Sequence, residues 1–270
     1  GTPGSIAWEA SALIPSDHTA RNIKTWNGLA WNAGAGTDFS WTTGGLTTAQ
    51  KALLGANENL LNYLRGDKSK QRASVDDTTQ PFRWRASRQG DIVNSQVWYT
   101  GRPVSNYPLP GYSAFTRINR NRTPMLYVGG NDGMLHGFSA LDGAEKIAYV
   151  PKGAIPSLRY LTGQDYNNKH KFFVDGSPMS GDVDLNGGIQ DPAATGFASY
   201  TPDWHTLLVG TLGAGGKGYF VLDVTTPSAF AEDKATSLVK LDRTRSTESG
   251  SAPDCTQSSL TDGQKAACNK

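Results

Sequence analysis

Residues 123–143, TPMLYVGGNDGMLHGFSALDG, place two apolar runs, 125–128 and 134–141, on either side of Gly129-Gly130-Asn131-Asp132-Gly133. Short apolar runs flanking a Gly/Asn/Asp cluster are the sequence form of a β-hairpin, because these residues accept the positive φ of a tight turn. Asp142-Gly143 marks a second turn, so each strand is short. The unit recurs. VGGNDGMLHGFSALD (128–142) lies without gaps on VGTLGAGGKGYFVLD (209–223), an offset of 81 residues. Similar hairpins at a fixed offset indicate a repeated sheet, and an all-β propeller of antiparallel blades is the expected architecture. A plain blade takes about 40–45 residues. The offset therefore means either one blade with long loops or two blades with one poorly visible.

Outward from the hairpin, strands are expected at 92–99, 146–150, 172–174, 204–210, 218–224 and 238–241. Residues 1–80 read as a loop-rich, tryptophan-containing segment with short helices, 81–242 as propeller blades, and 243–270 as a polar tail or blade insertion. Within the first segment, Thr47-Thr48-Ala49-Gln50 fits a capping box, Asn57 can cap a second helical turn, and Gly66 can end it. Residues 67–80 read as an exposed linker. Trp8, Trp26, Trp31 and Trp41 fit the local core of a segment poor in aliphatics, with a lectin-like sugar platform as the alternative.

Composition agrees with many short strands: the 270 residues include 31 Gly and 14 Pro, and only 37% are hydrophobic. Mean hydropathy is −0.46 and the pI about 8.5. A net charge of +2 argues against an electrostatic grip on nucleic acid. The sequence holds no apolar run long enough to span a bilayer, no secretory leader is visible, and the opening GTPGS reads as a domain start rather than a native N-terminus. Cys255 and Cys268 lie close together in a polar tail, where a disulfide or a pair of free thiols fits; a bridge would imply an oxidising compartment.

Asp182-Val183-Asp184-Leu185-Asn186-Gly187 matches the first half of a calcium loop, with oxygens alternating around a turn that Gly187 permits. The twelfth position is Ala193, where a bidentate Glu is expected, so Asp191 would have to substitute. Gly213 to Gly218 satisfies G-x-G-x-x-G, but a strand rather than a helix follows, so a hairpin turn is expected and not a dinucleotide site. Arg65-Gly66-Asp67 spells the tripeptide that integrins read, which functions only at an exposed loop tip. His18, His136, His170 and His205 show no metal spacing, and His136 reads as an ordinary strand residue. No triad or paired acid/base signature is evident, so a non-enzymatic protein is expected.

YLRGD, GDIVNS, RTPMLYVGGNDGMLHGF, AYVPKGAIPSL, HKFFVDGSP and WHTLLVGTLGAGGKGYFVLDVT follow one another between residues 63 and 225. In this order they resemble the C-terminal domain of the PilY family of type IV pilus proteins. The resemblance implies a modified quinoprotein-like propeller without the cofactor, in a secreted protein at the pilus tip and outer membrane. It implies support of pilus extension against retraction, adhesion, surface sensing and twitching motility. Pilins and minor pilins are the implied partners, and integrins the implied host receptors for Arg65-Gly66-Asp67. Calcium is the implied cofactor, bound at an acidic loop further along than this chain reaches; Asp182, Asp184, Asn186 and Asp191 are then a second candidate. The chain is too short for a full propeller and is expected to hold only part of one. A quinoprotein-type dehydrogenase is the alternative from shape alone, but no cofactor-docking repeat is evident.

Overall fold

The computed structural model describes residues 6–28, 30, 33–187 and 200–246. Its strands, in chain order, are β1 (Ile23–Trp26), β2 (Gly36–Asp38), β3 (Trp98–Thr100), β4 (Met125–Gly129), β5 (Leu135–Ser139) and β6 (Glu145–Tyr149). They continue as β7 (Met179–Asp184), β8 (Trp204–Thr211), β9 (Gly216–Lys217), β10 (Tyr219–Asp223), β11 (Val239–Asp242) and β12 (Arg245–Ser246). The α-helices are α1 (Ala10–Leu13), α2 (Thr48–Leu53), α3 (Glu58–Arg65), α4 (Tyr112–Ile118) and α5 (Ala235–Leu238).

Two antiparallel four-stranded meanders form successive blades, β3-β4-β5-β6 and β7-β8-β10-β11. Among the described residues no third sheet separates them, so the 81-residue offset is one blade with long loops. The turn of the first hairpin is the expected one. Gly130 N donates to Met134 O at 2.8 Å, and Gly133 takes φ 94°, which a side chain at this position would resist. In each hairpin an aromatic ring covers a cross-strand glycine: Tyr127 pairs with Gly137, and Phe220 with Gly210. A Cβ on Gly137 would fall 2.7 Å from the Tyr127 ring, and one on Gly210 2.2 Å from the Phe220 ring.

The gapless alignment does not survive in the register. Gly129 pairs with Leu135, whereas its counterpart Gly210 pairs with Phe220 rather than Gly216. The second hairpin needs four more residues because Gly216–Lys217 are diverted to pair with Arg245–Ser246, after a 3-10 turn at Gly213–Gly215. The G-x-G-x-x-G run is thus turn and strand, and no helix opens from it.

The expected boundary at residue 80 does not separate two cores. β1 runs parallel to β6, with Ile23 opposite Ala148, and extends the first blade outward to β2. Leu54 of the α2–α3 connection and Leu60, Leu61 and Leu64 of α3 pack with Met134, Val150, Ile155, Leu158 and Phe173 in one buried cluster. A second cluster lies between the blades, where the Tyr149 and Phe220 rings sit 4.8 Å apart. The strands expected from 92 and at 172–174 form instead a short β3 and an irregular segment. The Thr47–Gln50 capping box and the Asn57 cap are both formed.

Among the described residues, Trp8, Trp26 and Trp41 have separate partners. Trp26 is buried and donates to Ala33 O, Trp8 packs against Gly143, and Trp41 lies under the Lys51 ammonium. Trp31, like Cys255, Cys268 and Asp191, lies outside the described residues.

Candidate functional site

The turn and second strand of the opening hairpin carry more than a fold marker. His136, in the middle of an apolar strand, is fully buried and meets a carboxylate at each ring nitrogen. Its Nδ1 lies 2.8 Å from Glu145 Oε1, and its Nε2 lies 3.0 and 3.2 Å from the two oxygens of Asp132. Glu145, the first residue of β6, is held on its other side by Arg21, whose Nε and Nη2 donate at 2.7 Å to the two carboxylate oxygens. Arg21 Nη1 also caps the end of α3 by donating to Arg65 O. Asp132 accepts backbone N–H groups from Gly90 and Met134.

Two cations and two carboxylates thus alternate in one buried chain, Arg21–Glu145–His136–Asp132. Burial alone would push the imidazole down; Asp132 and Glu145 overcome it and hold His136 up at about 9. Burial would raise Glu145, but Arg21 and His136 bring it down to about 2. Burial also opposes Asp132, and the His136 charge wins, so its carboxyl is lowered. His136 is therefore an imidazolium donating from both nitrogens. The sequence reading of His136 as an ordinary strand residue and Asp132 as a turn residue missed this. The available signal was a polar residue inside an otherwise apolar strand, which needs buried partners.

Asp132 and Asn131 floor a cavity of about 280 Å³ whose walls come from residues 83–91, α3 and the 161–170 segment. Asn131 ties the floor together: its Oδ1 accepts Phe173 N, and its Nδ2 donates to Asp91 Oδ2 at 2.9 Å. His170 Nε2 approaches the same Asp91 oxygen at 2.9 Å, at the mouth. Arg83, Arg85 and Arg88 line the other side.

The tripeptide Arg65-Gly66-Asp67 is not presented as a loop tip. Arg65 closes α3 with only 4% of its surface exposed, its guanidinium donating to Phe39 O and Arg21 O. Gly66 is the left-handed C-cap at φ 119°, and Asp67 accepts from Ser69. An integrin pocket needs the arginine free, and here it is a core staple.

Asp182 and Asp184 share one face of β7, where protein groups donate to their oxygens, and the rest of the expected loop, with Asp191, lies outside the described residues. Asp182 accepts from the Thr206 and Tyr112 hydroxyls at 2.7 Å, and Asp184 from Asn186 N, Asp203 N and the Tyr200 hydroxyl. All four carboxylate oxygens are committed to protein donors. The Asn186 side chain donates to Thr201 O, and among the described residues no three His, Cys, Asp or Glu side chains converge as a metal site. Elsewhere His205 bridges Asp203 and Asp223 in the second blade.

A family model described as the PilY1 beta-propeller domain matches residues 89–250, more than half of the chain. A type IV pilus biogenesis factor PilY1 homolog of Xylella fastidiosa is 41% identical over 187 residues, covering 66% of this chain and 14% of that protein. The type IV pilus biogenesis factor PilY1 of Pseudomonas aeruginosa strain PAK is 36% identical over 249 residues, covering 82% of this chain and 19% of that protein. The crystal structure of the Pseudomonas aeruginosa PilY1 C-terminal domain shares 35% identity over 48% of this chain and 23% of that one, with a TM-score of 0.31. The chain therefore spans less than a fifth of the length of these curated relatives. Two consecutive four-stranded antiparallel blades within a matched propeller domain bear out the expected fold class. No described helix is long and apolar enough to cross a membrane.

Proposed function

The chain belongs to the PilY1 β-propeller family, and from that membership we propose that it is a propeller portion of a cell-surface factor for type IV pilus biogenesis. The observation that carries this is the match over residues 89–250, together with relatives named as pilus biogenesis factors at 36–41% identity. Its work is contact with pilins and minor pilins at the pilus tip, supporting extension and twitching motility, and not catalysis. The buried Arg21–Glu145–His136–Asp132 chain supports a scaffold role, since it joins the N-terminal segment to the blade. Calcium control we assign to acidic loops of the longer protein, because Asp182 and Asp184 already have protein donors on every oxygen. Attachment to host surfaces we assign to a surface other than Arg65-Gly66-Asp67.

The test is replacement of residues 89–250 by a flexible linker in the full-length protein of a piliated host. Loss of surface pili and twitching zones, with the protein still exported, is expected. Normal pili and twitching would overturn the assignment.

A further inference from the structure

Arg83, Arg85 and Arg88 line one side of the cavity above Asp132, and among the described residues none of the three has a carboxylate partner within ion-pair distance. Each guanidinium is instead oriented by neutral groups. Arg83 Nε donates to Leu161 O at 2.7 Å and stacks 4.5 Å from the Tyr166 ring. Arg85 Nε donates to Gln71 Oε1 at 3.0 Å, its Nη2 to Tyr63 O, and the group lies 3.8 Å over the Tyr63 ring. Arg88 Nε donates to Gly66 O at 3.1 Å. A guanidinium has five N–H donors, so fixing its plane with one or two leaves an edge for a planar oxyanion.

The negative groups nearby only partly offset this wall. Asp132 is matched by His136, and Asp91 is engaged by Asn131 and His170. Buried or half-buried cations without anions are costly, and proteins ordinarily pair them. Burial lowers Arg85 to about 10; Tyr63 and Asp132 oppose that fall without cancelling it, and Arg21 and Arg83 add to it. A cavity of about 280 Å³ corresponds to roughly nine waters at liquid volume. That is room for a compact ligand and too little for a folded partner.

We propose that this cavity binds a small oxyanion, carboxylate or phosphate, clamped between the guanidinium edges of Arg83, Arg85 and Arg88. Trp84, 39% exposed beside them, stands at its rim. This goes beyond the pilus assignment and does not depend on it.

Calorimetric titration at low ionic strength tests it, with inorganic phosphate and citrate as separate probes and chloride at matched ionic strength as the control. Saturable binding of at least one probe is expected, and the stronger one identifies the anion class. Arg88→Gln, checked for folding by its thermal melt, should weaken binding by about tenfold or more. In the unaltered protein, the same probe should slow phenylglyoxal modification of Arg83 and Arg88, read by peptide mass. Absence of saturable binding by both probes, unchanged affinity in Arg88→Gln, or unprotected arginines would each overturn the site.

Discussion

His136 Nδ1 and Glu145 Oε1 lie 2.8 Å apart across neighbouring strands, and the same carboxylate is gripped from behind by Arg21. A buried histidine that stays charged couples the fold to pH. The folded state holds the His136 proton up to about 9, while the unfolded chain releases it near the ordinary 6.5. Its contribution is fully present below pH 6.5 and is lost as pH rises through about 9. Glu145, lowered from 4.5 to about 2, contributes above pH 4.5 and loses that contribution as pH falls through about 2. Stability should therefore peak between these limits. Urea midpoints should fall between pH 6.5 and 9, and His136→Gln should flatten that limb; a wild-type midpoint constant over this range contradicts the charge assignment.

Removing one member of the chain should cost more than removing a pair. Arg21→Met leaves Glu145 buried with one cation fewer, and the expected loss is about 3–5 kcal/mol. Arg21→Met combined with Glu145→Leu should recover most of it, because neither charge then remains unmatched. Chemical denaturation of the parent, each single variant and the double variant measures this, and strictly additive losses would count against the coupling.

The glycines beneath the two rings predict a matched pair of effects. Gly137→Ala and Gly210→Ala each drive a methyl into an aromatic ring, at 2.7 and 2.2 Å before relaxation. Overpacking of this kind costs about 1–3 kcal/mol, and Gly210→Ala should be the worse. Restoring space with Tyr127→Leu or Phe220→Leu in the respective background should reduce the loss; thermal melts would show it.

Arg65 and Asp67 separate structure from adhesion. Arg65→Ala removes charged hydrogen bonds to two buried carbonyls and should destabilise by about 2–3 kcal/mol. Asp67→Ala, at a half-buried site bonded only to Ser69 two residues on, should cost less, about 1 kcal/mol. Attachment to integrin-bearing cells should be unchanged in Asp67→Ala. A sharp fall in attachment would mean that the end of α3 unwinds to present the tripeptide.

Local features were readable because local residues determine them. Asn131-Asp132-Gly133 specifies its turn, Thr47 and Gln50 their capping box, and the 204–211 and 219–223 runs their strands. α4 was not readable: its N-cap is Gly111 in the left-handed region, with no capping side chain and no acid in its first turn. Packing makes that helix, through Tyr112 against Trp204 at 4.8 Å. The register of the second hairpin was hidden because Gly216 and Lys217 pair with a strand 29 residues on. His136, Glu145 and Arg21 are each unremarkable alone. Arg21 lies 124 residues from Glu145, and only the closed blade brings them together.

The parallel pairing of β1 with β6 has a consequence for how the chain is made. Thr25 donates to Val150 O across 125 positions of sequence, so Ile23–Trp26 emerges from the ribosome long before its neighbour exists. Closing so long a loop is entropically unfavourable until the first blade offers a finished edge. The N-terminal segment is then a latch that shuts last. Nascent chains stalled before residue 145 should remain open to protease within residues 6–28, and those released after the blade is complete should not.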